Sequence, residues 1–172
     1  MTSVIFPGQG SQFLGMAKDF YDNFKQVKDT FAEIQDTTNI DLTKIIFGDD
    51  SSLLNTTFYT QISIFAASIA IYQTLESDFG LGSEKIKISY MLGHSLGEYS
   101  ALAASKSITV NQASTLLKIR GELMNSAVEP NTTSMAALIG KNCEDIENII
   151  INHKLNIEIA NDNSPGQVVI SG

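Results

Sequence analysis

Apolar residues along this chain fall alternately into short runs and into spacings of one helical face. Val4-Ile5-Phe6 is a short apolar run that predicts a buried strand, closed at once by Pro7-Gly8-Gln9-Gly10-Ser11-Gln12. A helical stretch is expected from near Met16. Phe24, Val27, Phe31 and Ile34 then recur at the spacing of a helix core face. Asp41 stands where it would cap a short helix through Leu42 and Ile46, before a polar loop at Gly48-Asp49-Asp50-Ser51-Ser52. A long helix is expected from Thr60 to Leu75 with Ile62, Phe65, Ala66, Ile69 and Tyr72 inward. It is apolar on most faces, which predicts deep burial.

Gly80-Leu81-Gly82-Ser83 ends that region, and Lys85-Ile86-Lys87-Ile88-Ser89-Tyr90-Met91 reads as a strand. A helical pattern follows from Leu96 to Ala104. Thr109-Val110-Asn111-Gln112 matches a capping box opening a helix towards Ala127. Glu129-Pro130-Asn131-Thr132-Thr133 is a polar linker. Beyond it the pattern predicts a strand at Met135–Ile139, a helix at Cys143–Ile151 and a strand at Leu155–Ala160. A turn at Asn163-Ser164-Pro165-Gly166 and a strand at Gln167–Ile170 complete the series.

These elements define an α/β chain. Those before residue 130 predict a parallel sheet flanked by helices, and the β-α-β-β tail reads as a small ferredoxin-like unit without its closing αβ. Two domains follow, 1–130 and 131–172. A last apolar strand normally pairs on both sides or is covered, so the chain is expected to be the N-terminal part of something longer.

Composition narrows the function. At 172 residues and 43% hydrophobic, the chain has enough apolar material for a real core. A net charge of -8 argues against nucleic acid and against an anionic membrane surface, both of which select basic faces. The single cysteine, Cys143, excludes an internal disulfide and fits a reducing compartment. No signal-peptide pattern appears, and no apolar run approaches the roughly 18 residues of a membrane span. A cytoplasmic protein is expected.

The chemistry centres on Gly93-His94-Ser95-Leu96-Gly97, a G-x-S-x-G motif between the expected strand and helix. That context predicts a nucleophile elbow with Ser95 at its tip and the Leu96 amide facing a developing oxyanion. Arg120 is the second candidate. It is read as lying near the centre of an apolar stripe of Ala113, Leu116, Leu117 and Met124. A guanidinium there needs an anion, either an internal carboxylate such as Glu98 or the carboxylate of a substrate. The third is Gln9, glycine-bracketed and directly after the first strand, where ligands bind in open α/β sheets. Its amide is the candidate second oxyanion donor. No phosphate-loop pattern is present. His94 reads as a packing residue and His153 as solvent-exposed, so neither supplies the base that a serine nucleophile needs. No metal-ligand spacing is evident.

Several of these segments together resemble the malonyl-CoA:acyl carrier protein transacylase family. They are Phe6-Pro7-Gly8-Gln9-Gly10-Ser11-Gln12, Gly93 to Leu102, Arg120-Gly121, Met135-Ala136-Ala137 and Asn163 to Ile170. The resemblance implies an α/β-hydrolase-like large subdomain plus an incomplete ferredoxin-like small one. It further implies Ser95 as the acylated nucleophile, Gln9 and Leu96 as the oxyanion hole, and Arg120 as the holder of the malonyl carboxylate. Gln61 corresponds to a family glutamine near the pocket. No cofactor is implied; the partners are malonyl-CoA and acyl carrier protein, in fatty-acid biosynthesis. An acidic carrier would need a local docking patch on so acidic a chain, and the lysines do not identify one. In the family the catalytic histidine lies in a later segment, so the missing C-terminal half is an expected partner. The 172 residues alone are expected to show little or no transfer. The alternatives are a polyketide-type acyltransferase, a serine esterase and a non-catalytic acyl-CoA-binding fragment. The Arg120 side chain and the absence of an HGGG-type loop disfavour the esterase.

Overall fold

Strand β1 (Thr2–Phe6) lies parallel to β2 (Ile88–Gly93), in a register that sets Ile5 opposite Leu92 and Phe6 opposite Gly93. The computed structural model describes residues 2–129 and 132–172. Parallel strands cannot be joined by a tight turn, and the connection here carries four helices. They are α1 (Lys18–Asn23), α2 (Lys25–Thr38), α3 (Leu42–Phe47) and α4 (Thr57–Ser77). After β2 come α5 (Gly97–Ala104) and α6 (Val110–Asn125). These elements form one compact unit, Met1–Asn125, and the rest form a second, Ser126–Gly172.

Helix α4 is the axis of the first unit. Ile62, Phe65, Ala66, Ile69 and Tyr72 are all buried, as the apolar pattern predicts, and so are Gln61, Ser63, Ile64, Ala67 and Ala70. The helix starts one turn earlier than expected, at Thr57. Val27, Phe31 and Ile34 of α2 are buried, and Tyr21, Phe31 and Phe47 form an edge-and-stack aromatic cluster with centroids 5.0–5.8 Å apart. The Thr109 capping box forms in both directions: Gln112 N–H donates to Thr109 Oγ1 at 3.1 Å, and Thr109 N–H to Gln112 Oε1 at 2.9 Å.

Asp41 caps α3 as expected, its Oδ1 accepting from the Lys44 N–H at 3.0 Å and from Thr43 Oγ1 at 2.8 Å. The Lys44 amide bond, with Thr43 next, holds its carboxyl below the ordinary value of 3.8. A depressed folded value means the carboxylate stabilises the fold above the unfolded value and loses that contribution as pH falls through the folded one. Asp41→Ala is expected to cost about 1 kcal/mol at neutral pH, the lower part of the cap range because the group is exposed. In melting curves of the two proteins that difference should shrink below about pH 4. An equal difference at pH 7 and pH 3 would remove the charge from the explanation.

Two expectations are corrected. The strands are not buried on both faces: Ile5, Tyr90 and Leu92 are 71%, 58% and 52% exposed. Parallel register puts these three on one side of the pair, while Val4 and Phe6 pack on the other. Helix α6 buries Ala113, Ser114, Leu117 and Gly121, not the stripe through Leu116 and Met124. Ala113 and Leu117 of the expected stripe do face inward, but Ser114 and Gly121, which apolar periodicity does not weigh, complete that face. A Cβ on Gly121 would lie 3.1 Å from the Phe58 Cα, so α6 approaches α4 at backbone distance there.

In the second unit β3 (Met135–Ile139), α7 (Cys143–His153), β4 (Glu158–Ser164) and β5 (Gln167–Ser171) build an antiparallel sheet of order β3-β5-β4. Strand β4 begins later than expected and runs through Asn163 and Ser164, leaving Pro165-Gly166 as the hairpin turn. Gly166 has φ +86, the conformation that a type II turn requires after proline.

No helix among the described residues is long and apolar enough to cross a membrane. An apolar groove of about 350 Å³ runs along β1 against α4, lined among others by Phe6, Phe13, Met16, Ile64 and Leu75. Ser95, Gln61 and Arg120 are not among its lining residues.

Candidate active site

Only His94, Ser95 and Leu96 separate the end of β2 from the start of α5, so the chain reverses within three residues. Ser95 carries φ +54, the left-handed region that costs a non-glycine residue about 1–2 kcal/mol. Hydrogen bonds from Gly97 N–H to His94 O (2.9 Å) and from Glu98 N–H to Ser95 O (3.1 Å) hold it there. The flanking glycines make the turn possible. A Cβ on Gly93 would fall 2.0 Å from the Gly97 carbonyl, and one on Gly97 2.4 Å from the Phe6 oxygen. Leu96 is fully buried and pins the turn to the core, while Ser95 projects to the surface. The elbow expected from the motif is therefore formed, with backbone strain at its serine.

The loop after β1 lies against this turn. His94 N–H donates to Phe6 O at 3.3 Å, and a Cβ on Gly8 would meet the His94 Nδ1 and carbonyl oxygen at 2.7 Å. Ser11 Oγ and Gly8 O (2.8 Å) and Gly10 N–H and Gln12 Oε1 (2.8 Å) brace the loop internally. Gln12 Nε2 ties it to Asn55 at 3.2 Å, and Gln9 Nε2 reaches Thr57 Oγ1 at 3.5 Å. The backbone N–H groups of Gln9 and Leu96 donate no hydrogen bond among the described residues. Two unspent donors on the segments that meet at the elbow are candidates for an oxyanion hole.

Arg120 reaches the elbow serine directly. Its Nη2 donates to Ser95 Oγ at 2.8 Å, and its Nη1 donates to Gln61 Oε1 at 2.5 Å. Gln61 is completely buried and its Nε2 donates onward to Met124 Sδ at 3.3 Å. Among the described residues no carboxylate pairs with Arg120, so the internal partner Glu98 is excluded as its counter-ion. Instead of sitting mid-stripe, the arginine is half-buried at the border of the α6 core face, beside Gly121. That location keeps its charge within reach of Ser95.

Ser95, Arg120 and Gln61 are thus brought together, and Gln9 and Leu96 stand on the two segments that meet at the elbow. His153 lies in the last turn of α7, in the other unit. No group of three His, Cys, Asp or Glu side chains among the described residues could hold a metal ion. The sequence reading missed Met124 as a partner of Gln61, although its place four residues after Arg120 puts both on one side of α6.

The acyl transferase domain family matches residues 4–172. The malonyl CoA-acyl carrier protein transacylase of Bacillus subtilis (strain 168) is 36% identical over 173 residues, covering 99% of this chain and 53% of the relative. The crystal structure of the corresponding enzyme from Clostridium perfringens superposes with a TM-score of 0.85 at 38% identity, over 99% of this chain and 52% of that one. A malonyl-transacylase in complex with a type II PKS acyl-carrier protein gives 0.87 at 40% identity, over 99% and 54%. The chain spans about half the length of the curated relatives it matches.

Proposed function

The chain belongs to the acyl transferase domain family, and from that premise we propose that its site moves a malonyl group from coenzyme A to the phosphopantetheine thiol of an acyl carrier protein. The observation that carries this reading is Arg120: a cation bonded to the nucleophile's Oγ and paired with no carboxylate of the described residues. Malonyl brings the missing carboxylate. A charge-assisted two-pronged pair with Arg120 would set the thioester carbonyl at Ser95.

Ser95 Oγ attacks the thioester carbon as its proton passes to a base, and the carbonyl oxygen becomes an oxyanion between the Gln9 and Leu96 amides. Collapse breaks the C–S bond, and the coenzyme A thiolate leaves with the proton. The malonyl ester on Ser95 then undergoes the same steps in reverse with the carrier's thiol. The family resemblance puts the base on a histidine outside residues 1–172, in the remaining half of a longer cytoplasmic enzyme of fatty-acid synthesis. Residues 1–130 are read as its α/β-hydrolase-like large subdomain. Residues 131–172, with strand order β3-β5-β4, are read as part of a ferredoxin-like small subdomain. The likeness to a transacylase that binds a type II PKS carrier favours polyketide extension as the second reading, with the same acyl-serine chemistry and a different acceptor.

The test is selectivity in the full-length protein. Arg120→Ala is expected to lower kcat/KM for malonyl-CoA by about 30-fold or more, the 2–5 kcal/mol lost when one partner of a charge pair is removed. Acetyl-CoA turnover should change far less. Equal losses for both substrates would mean that Arg120 does not read the carboxylate.

A further inference from the structure

Gln61 has two hydrogen-bonding ends that its neighbours sort without ambiguity. A guanidinium can only donate, so the amide oxygen must face Arg120. The amide nitrogen is then turned to Met124, whose thioether sulfur can only accept, at 3.3 Å. From Met124 through Gln61 and Arg120 to Ser95 Oγ, each bond has one allowed direction. Gln61 is fully buried, so an amide that lost its sulfur acceptor could not turn to bulk water.

We propose that Met124 is a positioning residue: its sulfur holds the Gln61 amide in the one orientation that presents Oε1 to Arg120, and so aims the guanidinium at Ser95 and at an incoming carboxylate. This rests on the proposed malonyl transfer for its kinetic consequence, not for its geometry. The glutamine is also neutral, unlike a glutamate, so Arg120 is steered without being neutralised and its charge is left for substrate. Two features of α6 make the contact possible. Met124 stands one helical turn after Arg120, and Gly121 between them lets α6 reach α4 at backbone distance beside Phe58. Half of Met124 remains at the surface, so apolar burial alone does not account for its position.

Met124→Leu keeps shape and removes the acceptor, while Met124→Gln restores an acceptor at similar reach. In the full-length protein, Met124→Leu is expected to raise the KM for malonyl-CoA about three- to tenfold with kcat within about twofold. Acetyl-CoA kinetics should be unchanged, and Met124→Gln should recover most of the loss. A crystal structure of Met124→Leu should show Arg120 Nη2 displaced from Ser95 Oγ. An unchanged malonyl KM, or a crystal structure with Gln61 and Arg120 in place, overturns the proposal. Equal rises for both acyl groups also overturn it, because they mark a packing role. A wild-type protein that transfers no malonyl sinks the proposed function instead, and the Gln61 and Arg120 positions in the Met124→Leu structure then decide the positioning role alone.

Discussion

Under the proposed malonyl transfer, intact-mass spectrometry of the full-length protein after brief exposure to malonyl-CoA is expected to show a malonyl adduct on the wild type and none on Ser95→Ala. The expectation rests on the turn: Ser95 is exposed at the elbow tip, and its Oγ accepts from Arg120 Nη2 at 2.8 Å. Alanine loses the Oγ and the bond it accepts from Arg120, but keeps the turn. The φ of +54 is as costly for alanine as for serine, and the bonds holding the turn come from backbone groups. Melting temperature should therefore stay close to that of the wild type, while transfer falls by four or more orders of magnitude, roughly the loss seen when an acyl-enzyme nucleophile is removed. Residual hydrolysis of bound thioester through the oxyanion donors would form no adduct. An adduct that survives in Ser95→Ala would move the nucleophile to another residue and sink the reading of the elbow. Fully acylated wild type beside a clean variant would establish it.

Gly97→Ala is expected to destabilise the first unit by about 3 kcal/mol or more, the upper range for forced overpacking. Its Cβ would lie 2.4 Å from the Phe6 oxygen, 2.8 Å from the Pro7 oxygen and 3.0 Å from the Phe6 carbon. All three are backbone atoms, two on Phe6 at the end of the β1–β2 ladder and one on the next residue, so no flexible side chain can swing away. At about 2–4 °C per kcal/mol for a chain of this size, the melting temperature should drop by roughly 6–12 °C. The same displacement would pull the Gln9 loop from the elbow, so serine acylation should fail in molecules that remain folded. A Gly97→Ala protein melting within about 2 °C of the wild type would show that β1 yields freely, and the close packing of loop and elbow would lose its energetic meaning.

Much of this was legible beforehand because it is local. The elbow needs only an apolar strand, two glycines and a helix, all consecutive from Ile88 to Ala104. The caps at Asp41 and Thr109 each reach three residues along the chain and form as read. Boundaries shifted where tertiary packing extended an element, as at the start of α4 and the end of β4. The inward face of α6 was misjudged because Ser114 and Gly121 bury well without being apolar.

By itself the sequence determined the α/β succession of elements, the strand-turn-helix around Ser95 and the presence of a single arginine on the helix after it. Each of these follows from backbone sterics and side-chain chemistry acting over a few residues. Only the tertiary structure decided what Arg120 holds. Its partners Ser95 and Gln61 are 25 and 59 residues away, and Met124 is 63 from Gln61. Those contacts depend on how closely α6 approaches α4 at Gly121. Helix periodicity sets which residues share a face, but the distance between two helices is set by the side chains that meet there.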